Sequence, residues 1–123
     1  MSEPGRFGNY DYVPFEIIVG ATKGSWDCLL LIRDRYDSYL NVVLRNSIHK
    51  RELILCRVQY EDIRAAVLDK FTDDVRSFRI RKKTEKEIEK MFDSFCKKIL
   101  THIIRDEVDS FERTHLILKE LGY

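Results

Sequence analysis

The sequence predicts an all-α fold, a small bundle of about five amphipathic helices. Large apolar residues recur three and four positions apart through most of the 123 residues, the period that places them on one helical face. Only two prolines and five glycines interrupt the chain, too few for a many-turned β-fold. The charged fraction of 35% is above the usual quarter, which suits thin helical layers with a large solvated surface.

Residues 1–13 show no helical period and read as a flexible arm. Pro14 suits the first helical position, with Phe15-Glu16-Ile17-Ile18 following, and this helix is expected to end near Gly20 or Gly24, where Thr22-Lys23-Gly24 has the composition of a stop. Ser25 is the expected N-cap of a second helix, with Asp27 in its first turn. Leu29, Ile32, Tyr36, Tyr39, Leu40 and Val43 form its stripe. The stretch from Arg45 to Arg57 is mixed, and Leu53-Ile54-Leu55-Cys56 reads equally as a short extended piece or as helix. Tyr60, Ile63, Val67, Leu68, Phe71, Val75 and Phe78 make a third stripe. After the charged run from Arg79, Thr84 with Glu87 three residues on matches a capping box. Ile88, Met91, Phe92, Phe95, Ile99, Ile103 and Ile104 then form a fourth stripe, which Val108, Phe111, Leu118 and Leu121 continue or repeat as a fifth helix. Isolated helices of this length are marginal in water, so the stripes must pack. Each large side chain buried contributes roughly 1.5 to 3 kcal/mol. Trp26, Tyr36, Tyr39, Tyr60, Phe71 and Phe78 are expected in the core.

Chemistry has few candidates. His49, His102 and His115 have no companion at metal-ligand spacing, and Cys96 with His102 aligns poorly on one helix face. Cys28 and Cys96 sit in apolar company as small core residues do. The acidic pairs are adjacent and so point apart on a helix. The segment from Gly20 to Gly24 lacks the order of a phosphate loop. The expectation is a protein with no enzymatic activity, no metal, no cofactor and no small-molecule ligand. Three scattered cysteines and no apolar run beyond Cys28 to Ile32 point to a cytoplasmic protein that does not enter the membrane.

Net charge is only +1, so local clusters carry the argument about partners. Arg45, His49, Lys50, Arg51 and Arg57 gather after the second helix, and Arg76, Arg79, Arg81, Lys82 and Lys83 at the end of the third. Arg45, Lys50, Arg51, Arg57, Arg79, Arg81, Lys82 and Lys83 are the candidate phosphate contacts. Cations late in a helix also complement its dipole, and Glu85, Glu87 and Glu89 dilute the second cluster.

Phe15-Glu16-Ile17-Ile18, Ala21-Thr22-Lys23-Gly24 and Tyr36-Asp37-Ser38-Tyr39-Leu40 resemble the helix-turn-helix domain of conjugative-transposon regulatory proteins. There an A-x-x-G-D turn precedes a helix carrying Y-x-x-Y-I. Tyr60-Glu61-Asp62-Ile63-Arg64, running on to Val75-Arg76-Ser77-Phe78, looks like that family's third element. The pattern is also similar to the first helices of region 2 in sigma-like transcription factors. Met91 to Lys98 resembles the opening of small sigma-like proteins of mobile elements. Ser25 and Trp26 stand where the family carries Asp after the glycine, and no C-terminal DNA-reading helix-turn-helix is evident.

The resemblance implies a sigma-like helical domain over residues 14–83 with a C-terminal helical extension over 84–123. It implies an accessory transcription-regulatory protein of a bacterial mobile element, binding DNA, RNA polymerase or both. The alternative is a helical interaction module that binds no nucleic acid. In that reading Ile88, Phe92, Phe95, Ile99 and Ile103 form an interface through which the C-terminal helices make a homodimer or hold a protein partner.

Overall fold

The computed structural model describes residues 12–122, so the arm expected over residues 1–13 lies almost wholly outside the described residues. The chain forms five helices: α1 (Phe15–Thr22), α2 (Trp26–Arg35), α3 (Asp37–Lys50), α4 (Arg57–Val75) and α5 (Glu85–Glu120). The all-α class is as the sequence predicts, but two boundaries fall elsewhere. One expected helix is divided at Tyr36, and the expected fourth and fifth are a single helix.

Pro14 sits at the N-cap of α1, and its carbonyl accepts from the amides of Ile17 (3.1 Å) and Ile18 (3.2 Å). The helix stops because Gly24 takes a positive φ of 87°, which lets Gly24 and Ser25 donate back to Ala21 and Gly20. Ser25 then caps α2, its hydroxyl accepting from the Cys28 amide at 3.4 Å. At Tyr36 the backbone leaves the helical region (φ −99°, ψ 5°), and α3 sets off in a new direction. Tyr36 is the residue both segments share with the core, its ring edge-on to Phe71 at 5.9 Å.

The ambiguous stretch resolves into helix as far as Lys50 and a short extended connection after it. Glu52 adopts φ 55°, so the Leu53 amide reaches back to the Ile48 carbonyl at 3.2 Å. Leu53 and Leu55 turn toward the core while Ile54 between them is 96% exposed, the alternation of extended backbone. Cys56 and Gln59 form a capping box that starts α4. Thr84 starts α5, its hydroxyl accepting from the Glu87 amide at 3.2 Å.

α5 has 36 residues, about 54 Å of helix. Its buried apolar positions, Ile88, Phe92, Cys96, Leu100, Ile103, Ile104 and Val108, run through one stripe that contacts α1, α3 and α4. The Arg51 guanidinium pairs with Asp109 and lies 3.6 Å from Glu112, and the Phe15 amide donates to Glu89 at 2.8 Å. All five helices therefore share one hydrophobic cluster. The division expected at residues 83 and 84 is not a boundary of packing: the polar run between α4 and α5 is a connection inside one core. Beyond Glu112, α5 runs on with every residue exposed.

Trp26 departs from expectation. It opens α2 at 57% exposure, while Leu29 and Ile32 of the same helix are buried. Tyr36 and Phe71 are buried as expected, while Tyr39, Tyr60 and Phe78 are half-buried against the core.

Candidate functional site

The expected protein interface on α5 is largely the interior of this molecule. Ile88, Phe92 and Ile103 are buried under α1, α3 and α4, and Phe95 and Ile99 pack on the same cluster half-covered. Periodicity identifies a face that must be covered; here the chain covers it itself.

The first basic cluster gathers at the end of α3 and the start of α4. Arg45, His49 and Arg57 border a groove of about 510 Å3 floored by Ile48, Leu53 and Leu55. The Arg45 guanidinium lies over the Tyr60 ring, 5.9 Å from its centroid. Tyr60 is itself held by a polar web, its hydroxyl donating to Asn41 Oδ1 at 3.3 Å. Arg64 Nε donates to the same oxygen at 3.0 Å, and its guanidinium pairs with Asp37. Arg51 is removed from the set of phosphate contacts. It is half-buried between the two carboxylates of α5 noted above, so its charge is neutralised and its geometry occupied. Lys50 and Arg57 are exposed.

The second cluster lies in the connection between α4 and α5, just beyond the C-terminus of α4. Arg79, Arg81, Lys82 and Lys83 are all exposed, and none makes an ion pair among the described residues. Phe78 anchors the connection. Its ring meets Phe92 edge-on at 5.0 Å and tilts against Phe95 at 5.1 Å, which fixes the cationic run against the first turns of α5. Of the three glutamates expected to dilute this cluster, one is drawn away from it and one is fixed beside it. Glu89 accepts from the α1 N-terminus, and Glu87 accepts from the Thr84 hydroxyl at 3.0 Å.

The two clusters stand at opposite ends of α4, whose 19 residues span about 28 Å. The exposed charged positions of α4 between them are Glu61, Asp62, Asp69, Asp73 and Asp74, with one lysine, Lys70, which is paired with Glu107. A polyanion laid along α4 from one cluster to the other would meet this carboxylate face and be repelled. The clusters are two sites, and the connection holds the greater density of unpaired cations.

Sequence reasoning missed the polar group buried beneath these surfaces. Asp93 lies inside the core, accepting from the Tyr36 hydroxyl at 2.7 Å, with Lys97 Nζ 3.1 Å from its second oxygen. Burial pushes the Tyr36 hydroxyl well above its ordinary value, with the neighbouring Cys96 and the Asp93 carboxylate adding to it. Burial likewise raises the Cys96 thiol, against a smaller lowering from its hydrogen bond with Tyr36. A thiol held protonated and out of solvent is a poor nucleophile. His102 is exposed and bonded to Arg105 at 3.0 Å, so Cys96 and His102 form no pair. The i, i+4 spacing of Asp93 and Lys97 within an apolar stripe was the available signal.

Among the described residues no three His, Cys, Asp or Glu side chains converge as metal ligands do. No helix among them is long and apolar enough to cross a membrane. No family model, curated protein or solved structure matches the chain.

Proposed function

We propose that this chain is an accessory regulatory protein that contacts nucleic acid through the connection between α4 and α5, acting in the cytoplasm without catalysis. The observation that carries the reading is the row of exposed, unpaired cations at Arg79, Arg81, Lys82 and Lys83, held by Phe78 against a rigid helix. Cations so placed neutralise phosphates and release condensed counterions, which gives sequence-independent, salt-dependent affinity. The role in transcription of a mobile element rests on the sigma-like residue pattern of α1 to α4 alone.

Fluorescence anisotropy with a labelled duplex over a range of salt concentrations tests the reading. Each phosphate contact contributes roughly 0.9 to the slope of log affinity against log salt. Replacing all four cations by Gln should lower affinity at least tenfold at low salt and flatten the slope by up to about 3.6. Lys50→Gln with Arg57→Gln should change it far less, because they lie at the other end of α4. Absence of binding at low salt, or equal binding by the four-residue variant, overturns the proposal.

A further inference from the structure

We propose that a groove along the first turns of α5 docks an acidic amphipathic helix of a partner protein. The groove, about 580 Å3, is floored by Phe78, Met91 and Phe95 and rimmed by Lys83, Lys90 and Lys98. Met91 is 36% exposed at its centre, although it belongs to the apolar period of α5. Its unbranched, polarisable side chain suits a surface that must adapt to an apolar partner.

Charge selects the occupant. None of the three lysines has a carboxylate at ion-pair distance among the described residues. Glu87, the acidic residue of the rim, is oriented by the Thr84 hydroxyl and leaves the rim an excess of two positive charges. A partner that satisfies this surface must bring apolar side chains to the centre and carboxylates to the edges. A nucleic-acid duplex satisfies the lysines but sets a polar backbone over the apolar floor, leaving its burial unrewarded. An acidic amphipathic helix satisfies both. From Glu87 to Lys98 the groove follows α5 for about 16 Å, three turns of a partner helix. No strand occurs among the described residues, so no sheet edge is offered to an extended peptide.

Lys83 is shared with the nucleic-acid reading, but Arg79, Arg81 and Lys82 lie outside this groove, and the inference rests on Lys90, Met91 and Lys98, which that reading does not use. The chain has two methionines, Met1 and Met91, so methyl-13C methionine labelling of the full chain gives a direct reporter. The probe is a synthetic helix of about 14 residues, roughly four turns, with Leu on one face and Glu flanking it. The same peptide with Lys for Glu, and a short DNA duplex, form the comparison arms. The acidic peptide should shift the Met91 methyl resonance saturably while leaving Met1 in place. Lys90→Gln with Lys98→Gln, and separately Met91→Ser, should each weaken its binding at least fivefold. All three positions are exposed, and circular dichroism verifies that the fold is kept. An unmoved Met91 signal at millimolar peptide overturns the proposal, as does equal binding by the Lys peptide or by the variants. A Met91 shift produced by the duplex and not by the peptide also overturns it, and assigns the groove to nucleic acid.

Discussion

Gly20 shows how a single missing carbon positions two helices. A Cβ added there would lie 2.4 Å from the Cys28 sulfur, so α1 and α2 approach as closely as they do only with glycine at this point. Gly20→Ala should destabilise the fold by about 1 to 3 kcal/mol, measured by urea unfolding, and Cys28→Ala in the same chain should recover part of the loss. Glu52 presents the opposite case, a side chain held at a φ that favours glycine. Glu52→Gly should stabilise by about 1 kcal/mol, because it removes the clash between Cβ and the following carbonyl. Tyr36 and Cys96 set the alkaline limit. Both have folded-state values raised above their ordinary ones of 10.0 and 9.0, so the folded chain holds protons that the unfolded chain releases. The stability they contribute is complete below pH 9 and is lost as pH rises, by up to about 1.4 kcal/mol per pH unit for each group. Tyr36→Phe should therefore flatten the decline above pH 10 in a pH series of urea melts. It should also cost stability at neutral pH, since Asp93 would lose its hydrogen bond.

Caps and connections set where the elements begin. Thr84 satisfies the first amides of α5 and ties Glu87, and Thr84→Ala should cost about 1 kcal/mol in thermal or urea unfolding. Ser25, Thr84, Pro14 and Gly24 were all legible as helix boundaries, because capping is a local interaction between residues within four positions. The division between α2 and α3 was not. Leu29, Ile32, Tyr36, Leu40 and Val43 keep helical spacing across the break, and one residue at Tyr36 redirects the chain without disturbing the period. Joining the last two stripes is the converse. No glycine or proline separates Ile104 from Leu118, and a helix with no stop signal continues.

For the whole molecule the decisive element is α5, which supplies the wall against which α1, α3 and α4 pack. A chain ending at Lys83 should fail to fold, seen as lost helical circular dichroism and a collapsed amide spectrum. A chain ending at Glu112 should keep its fold, since nothing beyond that residue joins the core. Of the candidate sites, the exposed cations of the α4–α5 connection were legible, because a dense run of cations is a property of the chain. The loss of Arg51 was not legible, since its carboxylate partners lie 58 and 61 positions away.

By itself the sequence determined that this chain is helical, where most helices start and which positions are apolar. These follow from interactions that repeat within a turn or two. Only the tertiary structure decided what the apolar faces meet. The stripe on α5 that looked like a surface for a second molecule is covered by α1, α3 and α4, and Met91 beside it is left open between unpaired lysines. Burial is a property of residues far apart in the chain, and periodicity reports that a face needs covering without naming what covers it.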